Sequence, residues 1–561
     1  MNGIYKEFCM PVPITVAITL FISLVVAVLI VPGLQYSFIK KGVKREEADK
    51  KKGNSMLETL QGAYDRWLES TMKKPGKAIF ISVICIIAGM AILAMLPRQL
   101  FPKLERNQFA VEIYFAEGTS LQENEEKTKE MAEILRKDKR VRNAVSFIGT
   151  SSPRFHSLYA PQIPANNYSQ LIVNTDSYRS AKEILKEYGP KYKDLYPNAH
   201  IKWKELDFLP VEAPIEVRIS GNDIPSVKDF AAKVSAIMRE EKNLAWVRDN
   251  YRNPLLAAEL DIDREAADRL GITSSILALS VALNRNGMPL ATIFDGEYAR
   301  PVILKYADTK DAGAEALPDQ HIYAPLASSP VMLRQTAKIR PSYSSGQVIR
   351  RNGRYTITVM ADMEFGHLAE PAFRRISKKV NALPRPAGID IEYGGEQEKT
   401  IETYIPFTKS LIASILLIFI ILLFQFRKVR PALIVMATMP LSLVGGAAGL
   451  AILGYPFGMT SFIGFIGLFG IVVRNGVIMI SYAQELQAKG MSLKDASIAA
   501  GKRRMRPIFL TASAAAVGVI PLITSGSSLW GPLGTVICFG LVSATVLTLY
   551  VLPAAYWRFA E

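Results

Sequence analysis

The residues with the clearest chemical demand lie in Gly470 to Tyr482, GIVVRNGVIMISY. They sit in an apolar run from about Ser461 to Tyr482, long enough to cross a bilayer as a helix. Arg474 and Asn475 fall near its middle. A guanidinium at that depth cannot easily snorkel to either headgroup layer, so it faces a protein interior or a water cavity and takes an opposite charge. The alternative is an arginine pinned by backbone carbonyls for packing alone. The first reading predicts membership of an ion pathway and asks where the counter-charge is. No spanning run contains Asp or Glu, and Glu485 lies just beyond the cytoplasmic end of its helix. An isolated charge there costs several kcal/mol, about 2.5–3.5 on the insertion scale. The partner is therefore expected from helices outside this chain.

Two hydroxyls, Thr511 and Ser513, follow in RRMRPIFLTASAAAVGVIPL (Arg503 to Leu522). A hydroxyl here either bonds a carbonyl of its own helix or joins a polar cluster around Arg474. Arg504 and Arg506 lie near the inner boundary and serve topology first. Gly445 and Gly449, with Gly464, Gly467 and Gly470, permit close helix approach.

Placing these residues requires spanning helices, and seven runs are long enough: Pro13 to Tyr36, Lys77 to Leu96, Tyr404 to Phe426, Pro431 to Leu453, Ser461 to Tyr482, Pro507 to Ser525 and Pro532 to Trp557. The basic loops Lys40 to Lys52, Arg427 to Arg430 and Lys489 to Arg506 are cytoplasmic by the positive-inside rule. The uncharged loops Gly454 to Met459 and Thr524 to Gly531 then lie outside, together with the long polar middle. Under this orientation the first helix runs inward from outside, with no cleavable signal peptide before it, so a preceding N-terminal part is expected. The likeness of LVVAVLIVPGLQY (Leu24 to Tyr36) to TVLTLYVLPAAYW (Thr545 to Trp557) agrees: it suggests the last helix of one repeat followed by a whole second repeat.

With 49% hydrophobic and 21% charged residues, the chain is too apolar for disorder and too charged to lie wholly in lipid. Its net charge of +16 accompanies no nucleic-acid motif. Cys9, Cys85 and Cys538 are spaced for neither a metal site nor disulfides, and no hydrolytic, phosphate-binding or redox motif appears. Residues 56 to 69 alternate apolar and polar at helical spacing, which suits a helix on the cytoplasmic membrane surface or a connector packed on protein.

The polar middle reads as repeated βαβ-like units. QFAVEIYF (Gln108 to Phe115), Val141 to Ile148, Ser169 to Asn174 and His200 to Lys204 are strands, with helices at Leu121 to Lys137 and Ala181 to Tyr188. A second unit runs from IEVRIS (Ile215 to Ser220) through AAELDID (Ala257 to Asp263) to IDIEYG (Ile389 to Gly394), interrupted by a β-rich insertion. The proline-punctuated loop Ile148 to Gln170 carries Phe155, His156, Tyr159 and Tyr168 near Phe147. Aromatics on such a loop suit a promiscuous apolar pocket or cap the subdomain core.

In helix order, external βαβ pairs and the segments GIVVRNGVIMISY and RRMRPIFLTASAAAVGVIPL, the chain resembles an RND (resistance-nodulation-division) multidrug efflux transporter of the hydrophobe/amphiphile type, over its C-terminal half and the last helix of its first half. The resemblance implies an α-helical membrane domain of seven spans and α+β periplasmic porter subdomains of split βαβ type. Its segments are a last helix of the absent repeat at 1–39, a cytoplasmic loop with an interfacial helix at 40–76 and a span at 77–98. A first porter subdomain follows at 99–207 and a second at 208–284 with 355–396. A docking insertion occupies 285–354, and five spans occupy 397–561.

It also implies a homotrimeric inner-membrane proton antiporter without cofactors, driven by the proton motive force, working with a periplasmic adaptor and an outer-membrane channel. Arg474 then stands where many members carry a relay lysine. Thr511 matches the relay threonine and Arg504 the first arginine of the RxRP turn, and Asn475 belongs with them. Phe147, Phe155, Tyr159 and Tyr168 fall in the substrate-pocket and switch-loop region, although this loop is longer and richer in proline. The relay aspartates belong to the first half, absent here. The expected activity is export of amphiphilic small molecules. Heavy-metal export is the near rival, and a split or truncated product acting only as an assembly partner is a rival of another class.

Overall fold

The structure is a computed structural model that describes residues 10–38, 56–155, 159, 161–209, 211–251, 255–285, 287–305, 314–327, 329–344 and 347–560. The basic loop Lys40 to Lys52, Cys9 and His156 lie outside the described residues.

A helix, α1, runs over Pro11–Val25, a π turn at Val26–Ile30 and Val31–Phe38. The amphipathic α2 (Met56–Lys73) leads to the spanning α3 (Pro75–Met95). The first soluble subdomain follows as β1 (Gln108–Phe115), α4 (Leu121–Arg136), β2 (Val141–Ile148), β3 (Tyr168–Thr175), α5 (Tyr178–Tyr192) and β4 (Ala199–Glu205). Its four strands pair in the order β2-β3-β1-β4. Strand alternation explains the layering: Phe109, Val111, Ile113 and Phe115 point to one face, where Met131 and Leu135 of α4 and Ile184 and Leu185 of α5 cover them. The hydroxyls of Ser120 and Ser177 cap the two helices by accepting from the amides of Glu123 and Ser180.

The second subdomain contains β5 (Ile215–Gly221), α6 (Ile224–Arg239) and β6 (Leu244–Asp249). Then come β7 (Leu255–Ile262), α7 (Arg264–Arg269), α8 (Ser274–Arg285), β8 (Met288–Asp295), β9 (Tyr298–Leu304), β10 (His321–Ile322), β11 (Val331–Met332), β12 (Ala337–Ser344) and β13 (Arg350–Arg351). The chain returns through β14 (Arg354–Met363), α9 (Ala369–Asn381) and β15 (Asp390–Gly395). The second sheet runs β13-β14-β5-β15, with β6 also paired to β14.

This corrects two expectations. The expectation that AAELDID belongs to the second subdomain does not hold, because β7 pairs along its whole length with β12, from Leu255↔Ser344 to Ile262↔Ala337. The strand that joins the second sheet is instead β6, in LAWVRD, paired to β14. The inserted unit accordingly comprises 249–357 with 116–119, rather than 285–354. Considered by itself, this unit has a small core of Leu277, Leu317, Ile322, Val331 and Leu333. Its β8–β9 hairpin is exposed along nearly its whole length.

Six further helices complete the chain: α10 (Glu396–Phe426), α11 (Val429–Met436), α12 (Leu441–Leu453), α13 (Met459–Ala488), α14 (Leu493–Thr524) and α15 (Gly531–Phe559). With α11 and α12 counted as one span, the described residues hold seven spans long and apolar enough to cross a membrane. The apolar face of α2 packs on protein, as the connector alternative has it. The Tyr64 hydroxyl donates to the Leu549 carbonyl, Trp67 stacks on Tyr550 at 4.4 Å, and Leu68 is fully buried.

Two glycines carry particular weight. A Cβ on Gly445 would stand 1.9 Å from Ser543 Oγ and 2.4 Å from the Phe539 carbonyl, so α12 meets α15 at backbone distance. Gly395 joins β15 to α10 at φ +67, and its Cβ would lie 2.4 Å from the Pro214 carbonyl. Below this junction, Gln99 and Phe457 exchange backbone bonds with the opposing loop, and Lys103 pairs with Asp207 at 3.0 Å. Burial pulls the Lys103 ammonium down, but the carboxylates of Asp207 and Glu396 outweigh it and hold its pKa above the ordinary value.

Gly445→Val is expected to separate α12 from α15 and cost about 1–3 kcal/mol; an unchanged melting midpoint in detergent would contradict this. Gly395→Ala forces an alanine into the left-handed region, at about 1–2 kcal/mol, and against a carbonyl as well. Thermal unfolding followed by circular dichroism should show the lower midpoint.

Candidate functional site

Arg474 lies on an exposed stripe of α13 with Gly467, Gly470 and Ile478, a spacing that marks one helix face. A Cβ added at Gly467 or Gly470 would meet nothing within 4 Å, whereas one at Gly464 would touch Val536 and the Leu533 carbonyl. The glycines thus divide: Gly464 serves packing and the other two sit on the open face with Arg474. Among the described residues, no ion pair or side-chain hydrogen bond reaches the Arg474 guanidinium. Asn475 turns the other way, buried in the bundle, and its side-chain oxygen has no hydrogen-bond partner.

On α14, Thr511 is exposed and its hydroxyl donates to the Ile508 carbonyl of its own helix at 3.1 Å. Ala514, Gly518 and Pro521 continue its exposed stripe, and Ser513 is half-buried. Arg504 does not join Arg474. Its guanidinium covers the Tyr482 ring at 4.7 Å. That contact fixes relative depth, because α13 and α14 are joined by a short loop and run antiparallel. Eight residues back from Tyr482 reaches Arg474 and seven forward from Arg504 reaches Thr511, rises of about 12 and about 10.5 Å. Arg474 and Thr511 therefore lie at nearly one depth, each on its helix's exposed side.

The soluble part has a second polar constellation. On the face of the first sheet opposite its helices, cross-strand register aligns His200, Tyr114 and Tyr168 in one row and Lys202, Glu112 and Gln170 in the next. Glu112 is only 2% exposed. It accepts hydrogen bonds from the hydroxyls of Tyr159 and, at 3.0 Å, Tyr114. Burial raises its pKa, but Lys204, Lys202 and these hydroxyls more than offset that and leave it below the usual value. Gln170 donates to the Tyr159 hydroxyl at 2.6 Å. From the second sheet, Asp362 binds Lys202 and Arg248, each at 2.8 Å. Burial opposes ionisation of Asp362, yet the two cations hold its pKa low. The Trp246 ring stacks on His200 at 4.1 Å, meets Tyr114 at 4.6 Å and carries the Arg248 guanidinium at 3.7 Å. Burial lowers the His200 pKa to about 4, and Arg248 and Lys202 push the same way against Asp362.

Three of the four aromatic pocket candidates stand together: Phe155 and Tyr159 pack 5.0 Å apart in a small cluster with Phe147, Ala110, Ile172 and Leu206. Tyr168 lies on the same sheet face, beside Tyr114 at 5.0 Å. Sequence reasoning missed Glu112, His200, Lys202, Trp246, Arg248 and Asp362. Alternation in QFAVEIYF and HIKWKE already put Glu112, Tyr114, His200 and Lys202 on one face, but that face reads as solvated until its cover is known.

The profile of the AcrB/AcrD/AcrF family matches residues 1–560. The cobalt-zinc-cadmium resistance protein CzcA of Cupriavidus metallidurans is 26% identical, over 99% of this chain and 53% of its own length. The multidrug resistance protein MdtC of Cronobacter sakazakii is 24% identical, over 99% and 53%. The swarming motility protein SwrC of Bacillus subtilis is 24% identical, over 99% and 52%. A crystal structure of a heavy metal efflux pump superposes with a TM-score of 0.75 at 23% identity, covering 90% of this chain and 52% of that one. The chain thus spans about half the length of the curated relatives it matches, aligning with their C-terminal half. It belongs to the AcrB/AcrD/AcrF family of RND efflux transporters.

Proposed function

We propose that this chain is the C-terminal half of a proton-driven efflux permease of the inner membrane, exporting amphiphilic small molecules. The observation that carries the reading is Arg474: a cation on the open face of an apolar helix, level with Thr511, with no ion pair to any acid among the described residues. A second set of helices would bring carboxylates against that face. When they are ionised, Arg474 pairs with them. When they take up protons, the pairing fails and Arg474 must move or find another partner, because arginine itself does not deprotonate. The shift of α13 is the step that passes proton entry to the soluble sheets. Thr511 offers a hydroxyl at the same depth to accept or donate as the pairing changes, and Asn475 and Arg504 hold α13 against its neighbours.

Homotrimer formation, a periplasmic adaptor and an outer-membrane channel belong to the same proposal, by analogy with the family's tripartite pumps. Metal export is the second reading, favoured by CzcA, named for cobalt, zinc and cadmium resistance, and by the nickel and cobalt resistance protein CnrA of the same organism, 24% identical.

The test is coexpression with a candidate N-terminal half and reconstitution into vesicles under an imposed proton gradient. Dye export should fall roughly tenfold or more in Arg474→Ala, since the partner carboxylates lose their only counter-ion. Arg474→Lys should retain part of it, and Thr511→Val should lower it several-fold while Thr511→Ser does not. Unchanged export in Arg474→Ala would refute the relay role. Gradient-driven movement of zinc or cobalt in place of dye would select the second reading.

A further inference from the structure

The last helix contains a fault in its own hydrogen-bond ladder. α15 runs as one α-helix over Gly531–Phe559 with Pro553 inside it. A proline carries no amide hydrogen, so the carbonyl four residues back, that of Leu549, loses its intrahelical donor. The pyrrolidine ring also crowds that carbonyl, which is why helices kink at proline. In a membrane bundle a neighbouring group must then satisfy the freed carbonyl. Here the donor is the Tyr64 hydroxyl of α2, 3.1 Å from the Leu549 oxygen. Burial raises the Tyr64 pKa, so the phenol keeps the proton it donates.

The repeat within the chain offers a comparison. The likeness of LVVAVLIVPGLQY to TVLTLYVLPAAYW sets Pro32 of α1 opposite Pro553, and Val28 opposite Leu549. Just before Pro32 the ladder of α1 widens into the π turn Val26–Ile30, where the Val31 amide donates to the Val26 carbonyl. α15 keeps α spacing and takes its missing bond from outside. Its neighbour α14 makes room for this. A Cβ on Gly501 would stand 3.0 Å from the Tyr64 oxygen, 2.9 Å from Leu68 and 3.4 Å from Pro553, so only glycine lets the tyrosine through. Beyond the break, the Tyr556 hydroxyl donates to the Gln487 side chain of α13 at 2.9 Å. A bend at Pro553 therefore pulls on the helix that carries Arg474.

We propose that Tyr64 stands in for the amide that Pro553 removes, making α2 a clamp on the proline break of α15 and, through Tyr556, on the C-terminal end of α13. Tyr64 is thus a positioning residue, acting through the Leu549 carbonyl. Its consequence for proton coupling rests on the efflux reading above; the clamp itself does not.

The test is a double-substitution cycle on the full chain in detergent, read by hydrogen–deuterium exchange of residues 545–558. It needs neither a partner half nor a transported solute, so its outcome is independent of whether export occurs. Tyr64→Phe deletes the hydroxyl and keeps the ring. Exchange should then rise roughly tenfold, because a buried acceptor is left unpaired. Pro553→Ala returns an amide to the Leu549 carbonyl, and in that background Tyr64→Phe should change exchange by less than about twofold. The melting midpoint should follow the same pattern, falling with Tyr64→Phe only while Pro553 is present. Unchanged exchange in Tyr64→Phe with Pro553 in place would overturn the clamp. So would an equal rise with and without Pro553, which would make Tyr64 ordinary packing.

Discussion

Close approach of backbones around α15 is the constraint on which the membrane half depends. Lipid tails are as apolar as leucine, so helices there gain little from burying greasy side chains and must associate through shape. Gly445 and Gly449 bring α12 against Phe539 and Ser543 of α15, while Gly464 and Gly540 let α13 and α15 interlock through Val536 and Leu468. Because the small residues of α12 and α13 that line these contacts are used up inward, what remains on the outer side of α13 is Gly467, Gly470, Arg474 and Ile478. Packing of one surface determines which surface is left to present the charge.

The two halves of the molecule answer to different physics. In the spans, polar side chains mostly close on their own helices: Thr511, Thr535 and Thr545 all donate to carbonyls three or four residues back. In the two soluble sheets, polar groups reach across strands and across sheets. The Lys202–Asp362 pair joins strands 160 positions apart in the chain, and each partner is about 11% exposed. A network of this kind is worth little at a wet surface and much more where water is thin.

That contrast also explains what was legible in the sequence. Arg474 announced itself because a charge in an apolar run is rare enough to stand out alone. QFAVEIYF declared its strand and its buried face through period-two alternation, and Ser120 and Ser177 marked helix starts. LAWVRD did not announce β6: it is short, half-buried up to its exposed last residue and pairs with β14, whose sequence lies far downstream. AAELDID looked like a porter strand because local pattern specifies a strand without naming its partner; the register with β12 decides. The aromatic loop suggested a pocket because exposure of Phe155 and Tyr159 depends on Ala110, Ile172 and Leu206, which no local pattern connects to them. Chemistry carried by one residue was visible, and chemistry made by juxtaposition was not.

The junction at Gly395 has a mechanical meaning. The last sheet strand becomes the first residue of a 31-residue helix with no linker between them. A flexible tether would let the sheet and the spanning helix wander separately and dissipate any movement of one before it reached the other. Here the sheet edge runs straight into the helix, joined where a hydrogen atom takes the place of a side chain, so a tilt of the strand carries the first turn of the helix with it.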